Sequence, residues 1–363
     1  MEWKNRLTSL LGIEYPFIQA PMLGITTPAM VAAMSNSGGL GSLPVGGLPP
    51  ERVAALIAEV KALTSRPFAV NLFTYDIPAV DQPEQFEQMQ QFLQQLYKAN
   101  GLAVPAVAFD AVKTYSYREQ LPALLAANVS LVSFTFGIPD ESSIALLKEK
   151  GCLLLGTATS VEEAVALEKA GCDAVVAQGI EAGGHRGSFL PGPLPQVGTV
   201  ALVPQIADRI TLPVIAAGGI ADGRSAAAAF CLGASGVQCG SVLLRSPESA
   251  ATPHHKDKVA AVTDTGTRIT RAFSGRWARG IENALMDGID ASGLPLNVYP
   301  VQDALTQAVR KVAKELDDPA FIVMYAGQAA QMAKALPAAE IMEALRMAAE
   351  KILTRGPQIP QGA

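Results

Sequence analysis

PVIAAGGIADGRSAAAAFCLGASGVQCGS, residues 213–241, holds the pattern that decides the fold. A β-branched apolar run, Val214–Ala217, ends on the pair Gly218-Gly219. A helical stretch follows over Gly223–Leu232, opened by Asp222, and a second short apolar run, Gly236–Gly240, leads into Ser241. Strand, turn, helix and strand in so few residues make a βαβ unit, whose two strands run parallel. The same alternation recurs upstream. Candidate strands fall at Phe17–Met22, Leu40–Leu43, Phe68–Asn71, Leu131–Phe136, Cys152–Thr157 and Ala174–Gln178, giving eight with the two above. Helical stretches separate most of them, at Pro28–Ser37, Pro50–Thr64, Asp140–Lys150, Val161–Ala170 and Thr199–Ala207. Thr27 before Pro28 and Ser160 before Glu162 and Glu163 are good N-terminal signals. Eight parallel strands is the count for a closed (β/α)8 TIM barrel, which we expect ahead of an open doubly wound α/β sheet.

Two segments interrupt the alternation. Asp81–Tyr97 is Gln-rich, with Phe86, Met89, Phe92, Leu93 and Leu96 at helical spacing, and reads as an amphipathic insertion helix packed on the barrel. Residues 245–323 are too long for a βα loop and read as a small cap over one barrel mouth. The barrel then comprises residues 1–244 and 324–363, with Gln328–Leu353 as one or two outer helices.

Composition agrees. Of 363 residues, 49% are hydrophobic and only 17% charged, against about 25% charged in ordinary soluble domains. Such a chain is too apolar to be disordered. A net charge of −5 without clustered Lys or Arg excludes a nucleic-acid footprint. Two stretches lack charge for nearly the length of a transmembrane helix, Leu121–Pro139 and Ser225–Leu244, yet each changes from helical to strand character part-way. Glu2, Lys4 and Arg6 precede only a short apolar run broken by Gly12 and Glu14, unlike a signal peptide. A soluble cytoplasmic protein is expected, with no membrane partner. Cys152, Cys172, Cys231 and Cys239 lack metal spacing and read as buried thiols, and adjacent His254 and His255 cannot form an i, i+4 metal pair.

Barrel chemistry gathers at the C-terminal strand ends. Gly218-Gly219 and Gly240-Ser241 follow the seventh and eighth strands, where backbone N–H groups can cradle a phosphate. One such glycine pair is as readily a tight turn; two in succession favour the cradle. QGIEAGGHRG, residues 178–187, follows the sixth strand and carries His185, which can act there as acid, base or cation. The competing reading is a turn whose histidine only bonds its own loop. Glu181 and Arg186 read as loop supports. Asn71 and Gln178 place neutral amides at strand ends, suited to a ring's N–H and C=O groups or to ordinary loop hydrogen bonds. No G-x-G-x-x-G follows a strand to open a helix.

On these residues the chain resembles the nitronate monooxygenases, formerly 2-nitropropane dioxygenases. The resemblance runs through APM at 20–22, NLF at 71–73, VSFTFG at 132–137 and AQGIEAGGHRG at 177–187. It continues through PVIAAGGIADGR at 213–224, GVQCGS at 236–241, TRAFSGRWAR at 270–279 and YAGQ at 325–328. EAGGH and AAGGIADGR are shared with FMN-dependent enoyl reductases and NADH:quinone reductases. The Arg-Gly after the histidine, FSGRWAR and YAGQ favour the first class of nitronate monooxygenases.

The resemblance implies FMN as cofactor and oxidation of a small nitronate or nitroalkane with O2, His185 being the catalytic histidine. It implies that Asn71, Gln178 and Gly183 meet the ring or ribityl chain, that Gly218, Gly219, Gln238, Gly240 and Ser241 hold the phosphate end, and that Met22 lines the isoalloxazine face. Thr135, Tyr299 and Tyr325 would line the substrate pocket. Thr135 stands where members often carry histidine, which puts a second pocket histidine in doubt. The alternatives are an NAD(P)H-dependent FMN reductase of quinones or enoyl thioesters, and a barrel that binds phosphate ligands without redox chemistry.

Overall fold

The computed structural model describes residues 2–77, 82–318 and 320–355. Its strands are β1 (Phe17–Gln19), β2 (Gly41–Pro44), β3 (Phe68–Phe73), β4 (Leu131–Thr135), β5 (Leu153–Ala158), β6 (Ala174–Gln178), β7 (Gly184–His185), β8 (Val214–Ala217), β9 (Gly236–Cys239), β10 (Thr267–Thr270) and β11 (Ala278–Ile281). Eight of them pair in parallel in the order β1-β9-β8-β6-β5-β4-β3-β2. A parallel bridge between Ile18 and Leu40 joins the two ends, giving the (β/α)8 TIM barrel.

Strand periodicity sorts the apolar residues into two layers. Phe17, Leu43, Val70, Val132, Leu154, Val175, Val214 and Val237 pack outward against the helices in the main core. Ile18, Leu40, Ala69, Leu131, Leu155, Val176 and Ile215 form a separate cluster with Leu7, Leu11 and Ile13. The last three come from a short helix, Arg6–Leu11, and its flank, which the sequence reading left unassigned. Asn5 caps this helix, accepting from Thr8 N–H, and donates from Nδ2 to Ser235 O at 2.8 Å, so the helix is fastened beside β9.

The barrel helices begin where their caps say. Thr27 accepts from Met30 N–H, Ser160 from Glu163 N–H, and Asp222 from Arg224 and Ser225 N–H. Each removes an orphan donor at a helix start, worth typically ~1 kcal/mol. The two charge-free stretches resolve into helix plus strand: Tyr117–Ala126 before β4, and Gly223–Cys231 before β9. Among the described residues no helix is long and apolar enough to cross a membrane.

Three expectations need correction. The insertion helix spans Pro83–Ala99, with Asp81 outside the described residues. Its buried face, Phe86, Met89, Leu93 and Tyr97, packs not on the barrel but with Leu285, Ile289, Leu305, Val309 and Phe321 in a second core. The C-terminal helical pattern holds only from Ala338 to Arg355, because Pro337 cannot continue an earlier helix and residues 330–332 form a single tight turn. Cys231 is exposed, at the end of its helix, while Cys152, Cys172 and Cys239 are buried.

Residues 245–323 carry helices Pro253–Ala261, Ala284–Ser292 and Val301–Leu316 together with β10 and β11. β11 pairs antiparallel with both β10 and β7, placing Ala278 opposite His185 and Arg279 opposite Gly184. One strand, β11, therefore joins this segment to the loop after β6.

Candidate active site

The loop after β6 owes its shape to buried polar groups. Arg186 is almost fully buried and donates to Gly179 O at 2.5 Å and Gln178 O at 2.8 Å. Glu181 accepts Thr199 N–H at 2.8 Å, tying the loop to the start of the Thr199–Ala207 helix. Gln178 spans the loop from below, accepting Gly187 N–H at 2.8 Å and donating to His185 O at 3.0 Å. Glu163 accepts the N–H groups of Phe189 and Leu190 through one oxygen and of Thr159 through the other. His185 is thus presented by a braced loop and a β-ladder.

The residue is partly exposed, but its imidazole is enclosed by protein. Nε2 lies 2.7 Å from Ser274 Oγ, and Tyr325, Phe136 and Tyr299 stand 5.1, 5.5 and 6.3 Å away between ring centres. Among the described residues no hydrogen bond uses Nδ1. Burial pushes the imidazole pKa down to about 4, outweighing the attraction of Asp303, while Arg276 and Arg310 press in the same direction as burial. Desolvation thus favours the neutral imidazole in the free site.

The other mouth residues converge from neighbouring strands. Asn71 is buried and donates to Ser133 Oγ at 3.0 Å and Thr135 Oγ1 at 3.5 Å. Gly187 closes the gap between Thr135 and Thr157: a Cβ there would lie 2.6 Å from Thr157 Cγ2. Tyr299 stacks edge-on against Tyr75 at 5.1 Å and meets Phe73 at 6.5 Å.

The glycine end is equally confined. Gly218 and Gly219 have φ of 109° and 70°, backbone that favours glycine. A Cβ on Gly218 would approach Gly179 O to 3.1 Å, and one on Gly240 would come within 3.7 Å of Met22 Sδ. Among the described residues no backbone hydrogen bond uses the N–H of Gly219 or Gly240. Ser241 accepts Gly327 N–H at 2.8 Å, leaving its own proton to donate. Gln238 sits in β9 opposite Ala217, with its side chain partly exposed. Gly183 links the two ends, since residues 326–327 cross its α-carbon so closely that a Cβ would lie 2.4 Å from Gly327 N.

Of the residues singled out from sequence, His185 meets Gln178, Tyr299 and Tyr325, Asn71 meets Thr135, and Gly240 lies beside Met22. Sequence reasoning missed Phe136, Ser274, Arg276, Tyr75, Asp303 and Arg310. Phe136 had one signal, its place at a strand end in VSFTFG. Its φ of 77° is strained for a residue with a side chain and turns the ring between His185 and Arg276. Arg310 pairs with Asp303 at 2.7 Å.

His255 lies behind the pocket, nearly fully buried, hydrogen-bonded to the Tyr325 backbone, with its pKa pushed down to about 4 by burial. The unfolded chain, with histidine near 6.5, binds the proton first. Stability from this residue is therefore whole above pH 6.5 and is lost as pH falls toward 4. Between pH 7 and pH 5 His255 is expected to cost the fold about 2 kcal/mol. Urea unfolding of His255→Gln at the two pH values should show that much less acid sensitivity than the parent; equal sensitivity would mean His255 is not held neutral.

The family model for nitronate monooxygenase matches residues 4–347. A probable nitronate monooxygenase from Staphylococcus aureus (strain JH9) is 45% identical over 343 residues, 93% of this chain and 95% of its own. The solved nitroalkane oxidase from Streptomyces ansochromogenes aligns with a TM-score of 0.86 and 35% identity, across 97% of this chain and 99% of that one. FabK from Thermotoga maritima aligns with a TM-score of 0.76 and 29% identity, across 97% and 98% of the two chains. Matched over nearly its full length in sequence and in fold, the chain belongs to the nitronate monooxygenase family and is an oxidoreductase.

Proposed function

We propose that this protein oxidises alkyl nitronates, propionate 3-nitronate among them, with O2 and bound FMN, giving a carbonyl compound and nitrite. One observation carries the reading. A desolvated, neutral His185 with Nε2 anchored and Nδ1 uncommitted stands in an aromatic pocket at the barrel mouth, connected through Gly183 to a glycine cradle.

The residues fit FMN. Unused N–H groups at Gly219 and Gly240, the Ser241 hydroxyl and the Cβ-free space at Gly218 suit a phosphate dianion. Gln238 flanks that end. Asn71, Gln178 and Gly183 would hold the ring and ribityl chain, with Met22 against the isoalloxazine face. FMN, when bound, supplies the electron-accepting ring. In the same reading, residues 245–323 are a cap on a barrel of 1–244 and 324–363, and Thr135, Tyr299 and Tyr325 line the substrate space.

The protein's own part is proton handling and charge placement. Ser274 Oγ can accept from Nε2–H or donate to bare Nε2, so it supports either tautomer of His185. With Nε2 protonated, Nδ1 removes the α-proton of a neutral nitroalkane. With the proton on Nδ1, the ring donates to a nitronate oxygen, a fixed dipole in a dry site. Tyr325 and Phe136 limit water around the imidazole.

The pH dependence follows. As base, His185 must be unprotonated, and its pKa of about 4 keeps it so throughout the neutral range. kcat/KM for a neutral nitroalkane should stay flat from pH 8 down to about 5.5, where an ordinary histidine would already have lost ~90% of its base form. A limb centred near 6.5 would refute the desolvated base. The activity itself is tested by nitrite release from propionate 3-nitronate under air, with and without NAD(P)H. Rapid anaerobic bleaching of flavin by NADPH, with no response to nitronate, would instead identify the reductase.

A further inference from the structure

Arg276 carries a charge that the fold does not answer. Among the described residues its guanidinium meets no carboxylate, and its buried Nε has no hydrogen-bond partner. What faces it are rings: its Cζ lies 4.2 Å from the Phe136 centre, 5.0 Å from Tyr75 and 5.9 Å from Tyr299. The neighbouring buried arginines each have acceptors for the guanidinium, although the Nε of Arg186 and of Arg310 is likewise without a partner. Arg310 has Asp303, Arg186 has the Gly179 and Gln178 carbonyls, and Arg279 has Ile180 O and Thr267 O. Aromatic faces attract a guanidinium but offer it no hydrogen-bond acceptors, so a partly buried arginine left this way lacks partners for its fork of donors.

The position adds meaning. Arg276 and His185 lie against the same Phe136 ring, and Arg276 follows Ser274, the residue holding His185 Nε2, by two places. Among the described residues against this ring, Arg276 is a cation without a carboxylate partner.

We propose that Arg276 is the substrate's anion receptor and sets the preference for anionic over neutral nitro compounds. A planar two-oxygen anion matches the guanidinium fork and completes it, and both a nitronate group and a substrate carboxylate have that form. The proposal rests on the nitronate reading, because it assumes that nitro compounds occupy the pocket.

Four substrates separate the sources of charge: 1-nitropropane carries none, propane 1-nitronate only the nitronate, 3-nitropropionate only a carboxylate, and propionate 3-nitronate both. In Arg276→Gln, KM for the recognised anion should rise about 30-fold or more, while kcat/KM for 1-nitropropane stays within about threefold. Loss confined to the two nitronates assigns the nitronate group; loss confined to the two carboxylates assigns the carboxylate. Arg276→Lys, which keeps the charge and most of the volume, should recover part of the loss and serves as the test if the glutamine variant fails to fold. Propionate should inhibit 1-nitropropane turnover competitively in the parent, and less in either variant, if the carboxylate is held. Equal losses on all four substrates, or none, would overturn the role of Arg276. A parent enzyme inactive on all four would sink the nitronate reading instead.

Discussion

Replacement of His185 by asparagine is expected to lower kcat/KM for a neutral nitroalkane about a thousandfold while flavin content stays unchanged. A positioned base contributes typically 10²–10⁴-fold to proton abstraction, and the described neighbours of His185 offer no substitute for it. Asp303 is committed to Arg310 at 2.7 Å, and the phenols of Tyr299 and Tyr325 are pushed well above their usual pKa by burial. Asparagine can still reach toward Ser274, so the pocket need not collapse. Oxidation of a preformed nitronate should fall much less, because no α-proton remains to be removed. Equal losses on nitroalkane and nitronate would show that His185 binds rather than takes a proton, and unchanged turnover would remove it from the chemistry. Flavin absorbance of the purified variant checks that the cofactor end is intact.

Gly183→Ala should be nearly as damaging, by a different route. The added Cβ would lie 2.4 Å from Gly327 N and 2.5 Å from the Ala326 carbonyl carbon, both backbone atoms that cannot rotate away. To admit it, the loop after β6 and residues 325–328 must part. That breaks Gln328 N–H to Glu181 O at 3.0 Å and Gly327 N–H to Ser241 Oγ at 2.8 Å. Overpacking costs typically ~1–3 kcal/mol where side chains can yield, and a backbone clash lies at or above the upper end. The variant is expected to lose about 3 kcal/mol or more of stability and most of its flavin, since Ser241 loses the Gly327 N–H that orients its hydroxyl. Gly184→Ala is the control: its φ is 76°, but a Cβ there meets nothing within 4 Å, so only conformational strain of about 1–2 kcal/mol is paid. Urea unfolding and flavin absorbance of the pair separate crowding from backbone strain. Similar losses in both would remove the close crossing as the cause.

The barrel was readable because its strands are buried on both faces, so each stands out as a short apolar run between helical stretches. The glycine pairs were readable for a related reason, as breaks placed where parallel strands end. Less legible was whatever needed a tertiary partner. Arg6–Leu11 is too short to show a helical period, and only its burial beside Ile18 and Leu40 gives it a purpose. The insertion helix showed an apolar face but not what that face would meet. Arg276 was legible only as part of the FSGRWAR motif and not by its role, since its cage of Tyr75, Phe136 and Tyr299 is gathered from three distant parts of the chain. His185 was visible as a residue; that burial would hold it neutral was not.

The rung that joins Ala278 to His185 also bears on how such an enzyme can change over time. Because the histidine is itself one partner of a strand from residues 245–323, that segment is not an exchangeable module. Cutting it away would take the histidine's ladder, the Ser274 hydroxyl and Arg276 together. Grafting in a relative's version would impose a foreign register on His185. New substrate preferences in this architecture should accordingly arise by point changes along the inner wall, at positions such as Tyr75, Thr135 and Tyr299, and not by recombination of whole segments.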